Sequence, residues 1–80
     1  MVTAIIYTAP ECPHSKNLKE FLEANNIEYE EKCILTSHDA FLELKNKSGQ
    51  MAVPTTFIGN EIFIGFDRRT ERRIRRHLGV

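Results

Sequence analysis

A cysteine stands at the start of a helix that the sequence predicts, where a thiol can serve as a nucleophile. Cys12 precedes Pro13, which fits the first position of a helix, so that Cys12 becomes the cap. A thiol attacks a disulfide only as the thiolate, and the free N–H groups and dipole of a helix N-terminus favour that anion. His14 and Ser15 present their amides to the sulfur, and the Ser15 hydroxyl offers a further hydrogen bond. These residues predict thiol–disulfide exchange at Cys12.

Each of these residues also has a plainer interpretation. Cysteine is often a small, inert packing residue, and Cys12 alone would carry little weight. Its place after Pro10 and Glu11, between a buried strand and a helix, favours exposure. His14 either raises the local positive potential, shuttles a proton, or is simply solvated. The charge of Glu11 opposes a thiolate, but solvent screening makes this a minor effect.

The hydrophobic pattern predicts seven elements that would position this cysteine. Charge-free, β-branched residues at 2–7 predict a buried strand, and alternation predicts a second strand from 27 to about 34. Residues 53–58 and 61–64 predict two more strands around the hairpin signal Gly59-Asn60. The predicted helices follow Cys12, Thr36-Ser37 and Asp67, and their apolar positions are Leu18, Phe21, Leu22 and weakly Ala24 in the first, Ala40, Phe41 and Leu44 in the second, and Thr70, Ile74 and Leu78 in the third.

The predicted order is therefore β-α-β-α-β-β-α. The first two strands need a crossover helix and should be parallel, whereas the last two should form an antiparallel hairpin. The three helices end at Asn25-Asn26, at Gly49 and near Leu78. One α/β domain spanning residues 1–80 accounts for the whole chain.

Composition limits the class of protein. Eleven basic and eleven acidic residues give a net charge of zero, but residues 1–66 carry a net −4 and residues 67–80 a net +4. Two cysteines are too few for a disulfide scaffold and fit no zinc spacing. We see no signal peptide and no apolar run that could cross a membrane. A cytoplasmic, reducing setting is the expectation, with no metal and no membrane partner.

Four segments resemble a known family in the order in which that family has them. Cys12-Pro13-His14-Ser15 resembles the glutaredoxin active site. Tyr7-Thr8 resembles the end of the family's first strand, residues 48–55 resemble the stretch that ends in its Val-Pro signature, and residues 64–67 resemble the turn into its last helix. No single segment is decisive, but four in register with the predicted topology indicate a glutaredoxin-like protein.

The resemblance implies a thioredoxin-like fold, with a four-stranded mixed sheet flanked by three helices, and a cis peptide bond before Pro54. It implies that Val53 offers its backbone to an extended disulfide substrate. Glutathione would be the co-substrate, and glutathionylated or disulfide-containing proteins the partners. The implied glutathione contacts are Gln50, Val53 and the turn Phe66-Asp67, where Asp67 would meet an ammonium group or only cap the last helix.

Two departures from the family bear on the electron donor. Many glutathione-using members carry a basic residue shortly before the active cysteine and another after the glutamine. This chain has Ala9-Pro10-Glu11 and Met51 there. Such charged contacts contribute about 1.5–3 kcal/mol each when well formed. A branch of small glutaredoxin-like proteins reduced by thioredoxin reductase also lacks strong glutathione contacts, and Gly65-Phe66-Asp67 is closer to that branch.

The fourth motif position is Ser15, where dithiol members have a resolving cysteine. Three explanations are open. The protein is naturally monothiol, or serine replaces a natural cysteine or selenocysteine, or Cys33 resolves the mixed disulfide. Cys33 falls near the end of the second strand, on the active-site side of the sheet, and a packing role is the favoured interpretation.

Other classes of function fit less well. Monothiol relatives carry an iron–sulfur cluster between two protomers, but they usually have Gly-Phe-Ser after the cysteine, where this chain has Pro13. The last helix carries six arginines that could follow nucleic-acid phosphates, yet no aromatic platform accompanies them. A solvated face or an electrostatic contact with an acidic redox partner explains them better, so nucleic acid is not an expected partner.

Overall fold

The computed structural model describes residues 3–80 and contains the seven predicted elements in the predicted order. Thr3–Thr8 is β1, and a loop leads from it into helix α1, Pro13–Ala24. The chain then returns to the sheet before the second helix and the hairpin. The remaining elements are β2 Glu28–Cys33, α2 His38–Ser48, β3 Thr55–Ile58, β4 Glu61–Ile64 and α3 Arg68–Leu78.

The four strands form one mixed sheet in the order β2-β1-β3-β4. β1 pairs with β2 in parallel, as the crossover through α1 requires, and Thr8 lies opposite Cys33. β1 pairs with β3 antiparallel, and β3 with β4 antiparallel. The C-terminal ends of β1 and β2 therefore meet the start of β3 at one edge of the sheet. This is the edge at which α1 begins.

Apolar side chains cover both faces of the sheet, which gives a three-layer α/β domain. On one face, α1 contributes Leu18, Phe21 and Leu22, and α3 contributes Ile74, to a cluster with Ala4, Ile6, Ile58 and Phe63. On the other face, Ala40 and Leu44 of α2 pack with Tyr7. The alternation of β1 between two buried faces explains its continuous apolar sequence. The architecture is the expected thioredoxin-like one.

Several element boundaries differ from the predicted ones. β3 begins at Thr55 rather than at residue 53, because Pro54 has no N–H to give to a strand ladder. β2 begins at Glu28, since the Ile27 amide donates to Leu22 O of the preceding helix at 2.9 Å. Ala24, weakly assigned to the apolar face of α1, is exposed. The predicted strand residue Val2 lies outside the described residues.

Two neighbouring threonines of β3 lead to opposite stability predictions. Thr55 Oγ1 donates to Ala52 O at 2.7 Å, whereas Thr56 Oγ1 is buried with no hydrogen-bond partner among the described residues. We expect Thr56→Val to raise the free energy of unfolding by about 1 kcal/mol, because it removes a buried polar group that has no partner. Thr55→Val should lower it by about 1–2 kcal/mol, because it leaves the Ala52 carbonyl without its donor. Urea denaturation measures both.

Thr55→Val and Thr56→Val serve as controls for each other, since each replaces a threonine hydroxyl with a methyl group and the two positions are adjacent and buried. A common sign for the two changes would contradict the hydrogen-bonding explanation. It would indicate that packing of the added methyl group decides the outcome.

Candidate functional site

Cys12 is the N-cap of α1, as predicted. Its backbone is extended, with φ −96° and ψ 112°, and Pro13 occupies the first helical turn. The first helical hydrogen bond runs from the Lys16 amide to Cys12 O at 3.1 Å. Pro13 fits there because the N–H that it lacks would have no partner in the helix. The sulfur therefore lies at the helix N-terminus, where backbone N–H groups have no acceptor within the helix.

The surroundings of the Cys12 sulfur favour its thiolate. Hydrogen bonding from the Ser15 side chain, followed by the Ser15 and His14 amides, lowers the pKa of Cys12, while partial burial opposes this effect. Ser15 is only 2% exposed, and its hydroxyl has no hydrogen-bond partner of full geometry among the described residues. It is close enough to Cys12 to lower the pKa of that thiol, so the Cys12 thiolate is the acceptor that it can bind. Because the thiolate is the reactive form of a thiol, the lowered pKa increases the fraction of Cys12 that can act as a nucleophile.

A polar network holds the loop that leads into Cys12. Thr8 is buried, and its Oγ1 donates to Glu31 Oε2 at 2.7 Å. Lys19 Nζ donates to the same carboxylate oxygen at 3.2 Å, which ties α1 to β2. The Thr8 bond and then Lys19 lower the pKa of Glu31, so this carboxylate stays charged at neutral pH. Glu11 has a φ of 60°, a left-handed conformation uncommon for a residue with a side chain.

A cavity of about 550 Å³ opens beside Cys12. One wall is the loop from β1 to α1, and the facing wall is the end of β2. The cavity lining also includes three residues that were not predicted from the sequence, Lys16, Lys19 and Glu31. The two lysines follow Cys12 on α1 at helical spacing, i+4 and i+7. The lining residues are Thr8, Ala9, Pro10, Glu11, Cys12, Pro13, Ser15, Lys16, Lys19, Glu31 and Cys33.

The peptide bond between Val53 and Pro54 is cis, as the resemblance implied. Pro54 is buried, and Val53 is half-buried against the cluster under α2. The Gly65 amide donates to Pro54 O at 2.7 Å. This bond joins the segment before β3 to the turn after β4. The structure thereby brings together two segments that lie far apart in the sequence and were both assigned to substrate binding.

Phe66 and Asp67 form the turn that precedes α3. Asp67 caps this helix, since its Oδ1 accepts from the Thr70 amide at 2.8 Å, and this bond lowers the pKa of Asp67. The Phe66 ring packs against Phe21 of α1 with 5.5 Å between centroids. A second cavity, of about 620 Å³, is lined by His14, Phe66 and Asp67 among others. The exposed His14 therefore faces the predicted glutathione-binding turn.

Gln50 is exposed and lies in the loop after α2. Its backbone is fixed by Ser48, whose Oγ accepts from the Gln50 amide at 3.2 Å. Among residues 3–80, no hydrogen bond joins the Gln50 side chain to the Cys12 site. Met51 follows it and is 38% exposed, where many family members have a cation.

The arginines of α3 do more than form a solvated face. Arg75 donates from Nε to Glu71 at 3.1 Å and lies 4.9 Å above the Phe21 ring. Arg73 lies 5.5 Å from the Phe63 ring. Stacking of this kind holds α3 against α1 and the sheet. Two of the α3 arginines therefore take part in packing.

In the part of the chain that the structure describes, no helix is long and apolar enough to cross a membrane.

Comparison with known proteins agrees with this geometry. The family model described as Glutaredoxin matches residues 4–64. A glutaredoxin of Neisseria meningitidis is 37% identical over 67 residues, which cover 82% of this chain and 79% of the relative. An uncharacterized glutaredoxin-like 8.6 kDa protein of the Clostridium pasteurianum rubredoxin operon is 32% identical over 63 residues, covering 79% and 84%.

A solved structure supports the same fold. The crystal structure of the thioredoxin-like protein BC3987 superimposes with a TM-score of 0.81 at 31% identity, over 89% of this chain and 97% of that one. The matched family model covers β1, α1, β2, α2, β3 and β4, and therefore includes the Cys12 motif and the Val53-Pro54 segment. This chain is a member of the glutaredoxin family.

Proposed function

We propose that this glutaredoxin-like protein reduces glutathione mixed disulfides and protein disulfides through the Cys12 thiolate. The observation that carries the proposal is the position of the sulfur at the start of α1. There the Ser15 hydroxyl and the amides of Ser15 and His14 lower the pKa of the thiol. An activated thiolate beside an open cavity is what thiol–disulfide exchange requires.

The reaction consists of two exchanges. The Cys12 thiolate attacks the glutathione sulfur of a glutathionylated protein, a Cys12–glutathione disulfide forms, and the protein thiolate leaves and takes up a proton. A second thiol then completes the cycle in one of two ways. If it attacks the glutathione sulfur, it forms a disulfide with glutathione and releases the Cys12 thiolate; if it attacks the Cys12 sulfur, it forms a disulfide with Cys12 and releases glutathione as a thiolate that takes up a proton. Pro13 holds the first turn of α1. Ser15 stabilises the Cys12 thiolate before it attacks, and again when that thiolate is released as a leaving group.

Glutathione would lie over the segments that the Gly65–Pro54 hydrogen bond joins. Val53 would pair with the glutathione backbone as an added strand does. Phe66 and Asp67 would bind the γ-glutamyl end, with the Asp67 carboxylate facing its ammonium group. Gln50 would contact the glycyl end from the exposed loop after α2. Glutathionylated or disulfide-containing proteins are the proposed partners.

The lack of two cations favours an electron donor other than glutathione. Ala9, Pro10 and Glu11 provide no cation before Cys12, and Met51 provides none after Gln50. Two contacts to glutathione carboxylates are therefore missing, which weakens the case for glutathione as reductant. Reduction by an enzyme of the thioredoxin reductase type is the alternative proposal. Either donor operates in a reducing compartment, and the cytoplasm is the proposed location.

Release of a peptide thiol tests the proposed function. A glutathionylated peptide is mixed with the reduced protein, and the free peptide is separated and quantified. We expect one peptide thiol to be released for each protein in the first turnover, without added reductant. Release no faster than in buffer would reject the proposal.

Asp67→Asn tests the proposed glutathione groove. Asparagine is as good a helix cap as aspartate, so the cap of α3 should persist while the negative charge is lost. We expect the KM for a glutathionylated peptide to rise by about fivefold with little change in kcat, because Asp67 is exposed and its ion pair is partly screened. Steady-state kinetics at low ionic strength measure the change.

Ser37→Ala is the matched control, because Ser37 caps α2 through the Ala40 amide at 3.2 Å and is not among the residues assigned to the glutathione groove. It should cost about 1 kcal/mol of stability and leave KM unchanged. An unchanged KM in Asp67→Asn would restrict Asp67 to a capping role.

A further inference from the structure

We propose that Cys33 is the resolving thiol of this protein, attacking the Cys12 mixed disulfide across the cavity that the two cysteines share. This inference rests on the proposed function, because it needs the mixed disulfide that the first exchange forms. In this proposal, a residue of the same chain, outside the four-residue motif, carries out the second thiol–disulfide exchange.

The environment of Cys33 differs from that of a packing cysteine. Cys33 is half-buried and belongs to neither apolar cluster, and it is a free thiol. It ends β2 and lies opposite Thr8, which precedes Cys12 by four residues. Cys33 also lines the same cavity of about 550 Å³ as Cys12. The favoured expectation from sequence was packing, and the structure places this half-buried residue in the lining of the cavity beside the proposed nucleophile.

The strand order gives the two exchanges a suitable geometry. Attack on a disulfide is in line, so the entering and leaving sulfurs lie on opposite sides of the central sulfur. In the sheet order β2-β1-β3-β4, Cys33 is on the β2 side of Cys12, whereas Val53 is on the β3 side. The lining of the shared cavity contains neither Val53 nor Asp67. Glutathione bound over the β3 side would leave in the direction away from Cys33.

The groups around Cys33 favour a reactive thiolate. The Thr36 side chain, followed by the Leu35 and Thr36 amides, lowers the pKa of Cys33. The Ser37 amide donates to Cys33 O at 3.1 Å, which closes the turn that presents these donors. Burial and the charge of Glu31 oppose this lowering. The charges that line the shared cavity are balanced, because Lys16 and Lys19 face Glu11 and Glu31 there. Ser15 lies beneath Cys12, is 2% exposed, and cannot form a disulfide.

The resolving step conserves atoms and electrons. The Cys33 thiolate attacks the Cys12 sulfur, a Cys12–Cys33 disulfide forms, and the bond between Cys12 and glutathione breaks. Glutathione leaves as a thiolate and takes up a proton. The two cysteines together have lost two electrons, which have reduced the original mixed disulfide to two thiols. An external dithiol reductant, or two glutathione molecules, then reduces the Cys12–Cys33 bond.

Mass spectrometry of a single turnover tests this step. Reduced wild-type protein and Cys33→Ser are each mixed with one equivalent of glutathionylated peptide and quenched with acid. Both should release the peptide thiol. Wild type should then lose two hydrogen masses and carry glutathione at a level about tenfold below Cys33→Ser, because a thiol on the same chain acts at a high effective concentration. Digestion should link the Cys12 and Cys33 peptides.

Leu42→Ala is the matched control, since Leu42 is 41% exposed on α2, lies outside the lining of the shared cavity and should still form the cross-link. Equal glutathione retention in wild type and Cys33→Ser would overturn the proposal, as would a cross-link found only in dimers. Release of no peptide thiol by either protein would instead reject the proposed function of Cys12. Melting curves show whether Cys33→Ser is folded, and Cys33→Ala repeats the test with a second substitution.

Discussion

Cys12→Ser should lower the rate of peptide deglutathionylation by about a thousandfold or more, the order of loss seen when an enzyme loses its nucleophile. Serine keeps the shape of the residue but replaces the sulfur with an oxygen, which is hardly ionised at neutral pH and forms no mixed disulfide. The helix N-terminus, Pro13 and Ser15 would remain in place. The first-turnover assay with a glutathionylated peptide measures the loss.

The Cys12→Ser substitution should lower the activity without changing the fold. Cys12 belongs to neither apolar cluster, so the free energy of unfolding should stay within about 0.5 kcal/mol of wild type. Urea denaturation of both proteins provides this control. Substantial activity in a folded Cys12→Ser protein would mean that Cys33 can make the first attack, which would reverse the order of the two thiols.

The order of elements was accessible from the sequence because each signal was local. The uncharged, β-branched β1, the Pro13 start of α1 and the Asp67 cap of α3 each involve neighbouring residues. Boundaries were less certain where the chain departs from a simple pattern. Pro54 continues the apolar run of β3 yet cannot join its ladder, so the strand starts at Thr55, two residues after the predicted start.

The candidate site was only half accessible from the sequence. The donors to the Cys12 sulfur lie within three residues of it, and helix physics alone identifies them. The cavity beside Cys12 is different, because Glu31 and Cys33 reach it through the pairing of β1 with β2. Alternation along β2 assigns side chains to a face but does not say which ones reach the loop before α1. Hence Cys33 was assigned to packing.

The pKa of Cys12 should be controlled mainly by Ser15. Ser15→Ala removes the largest cause of the lowered pKa, so the pKa of Cys12 should rise and its thiolate fraction at neutral pH should fall. A hydrogen bond to a charged group contributes about 1.5–3 kcal/mol, and the greater nucleophilicity of a more basic thiolate offsets part of the loss. We therefore expect alkylation of Cys12 by iodoacetamide at neutral pH to slow by about threefold to tenfold.

The pH profile distinguishes this effect from a general disturbance of the site. Above both pKa values each protein is fully thiolate, so Ser15→Ala should alkylate as fast as wild type or slightly faster, and the two profiles should cross. Ser37→Ala, which loses a helix-capping serine of α2, is the matched control and should keep the wild-type profile. Alkylation is measured in a Cys33→Ser background so that one thiol reports. A uniform slowing of Ser15→Ala at every pH would indicate altered access to Cys12, and the Ser15 hydroxyl would then have no part in activating the nucleophile.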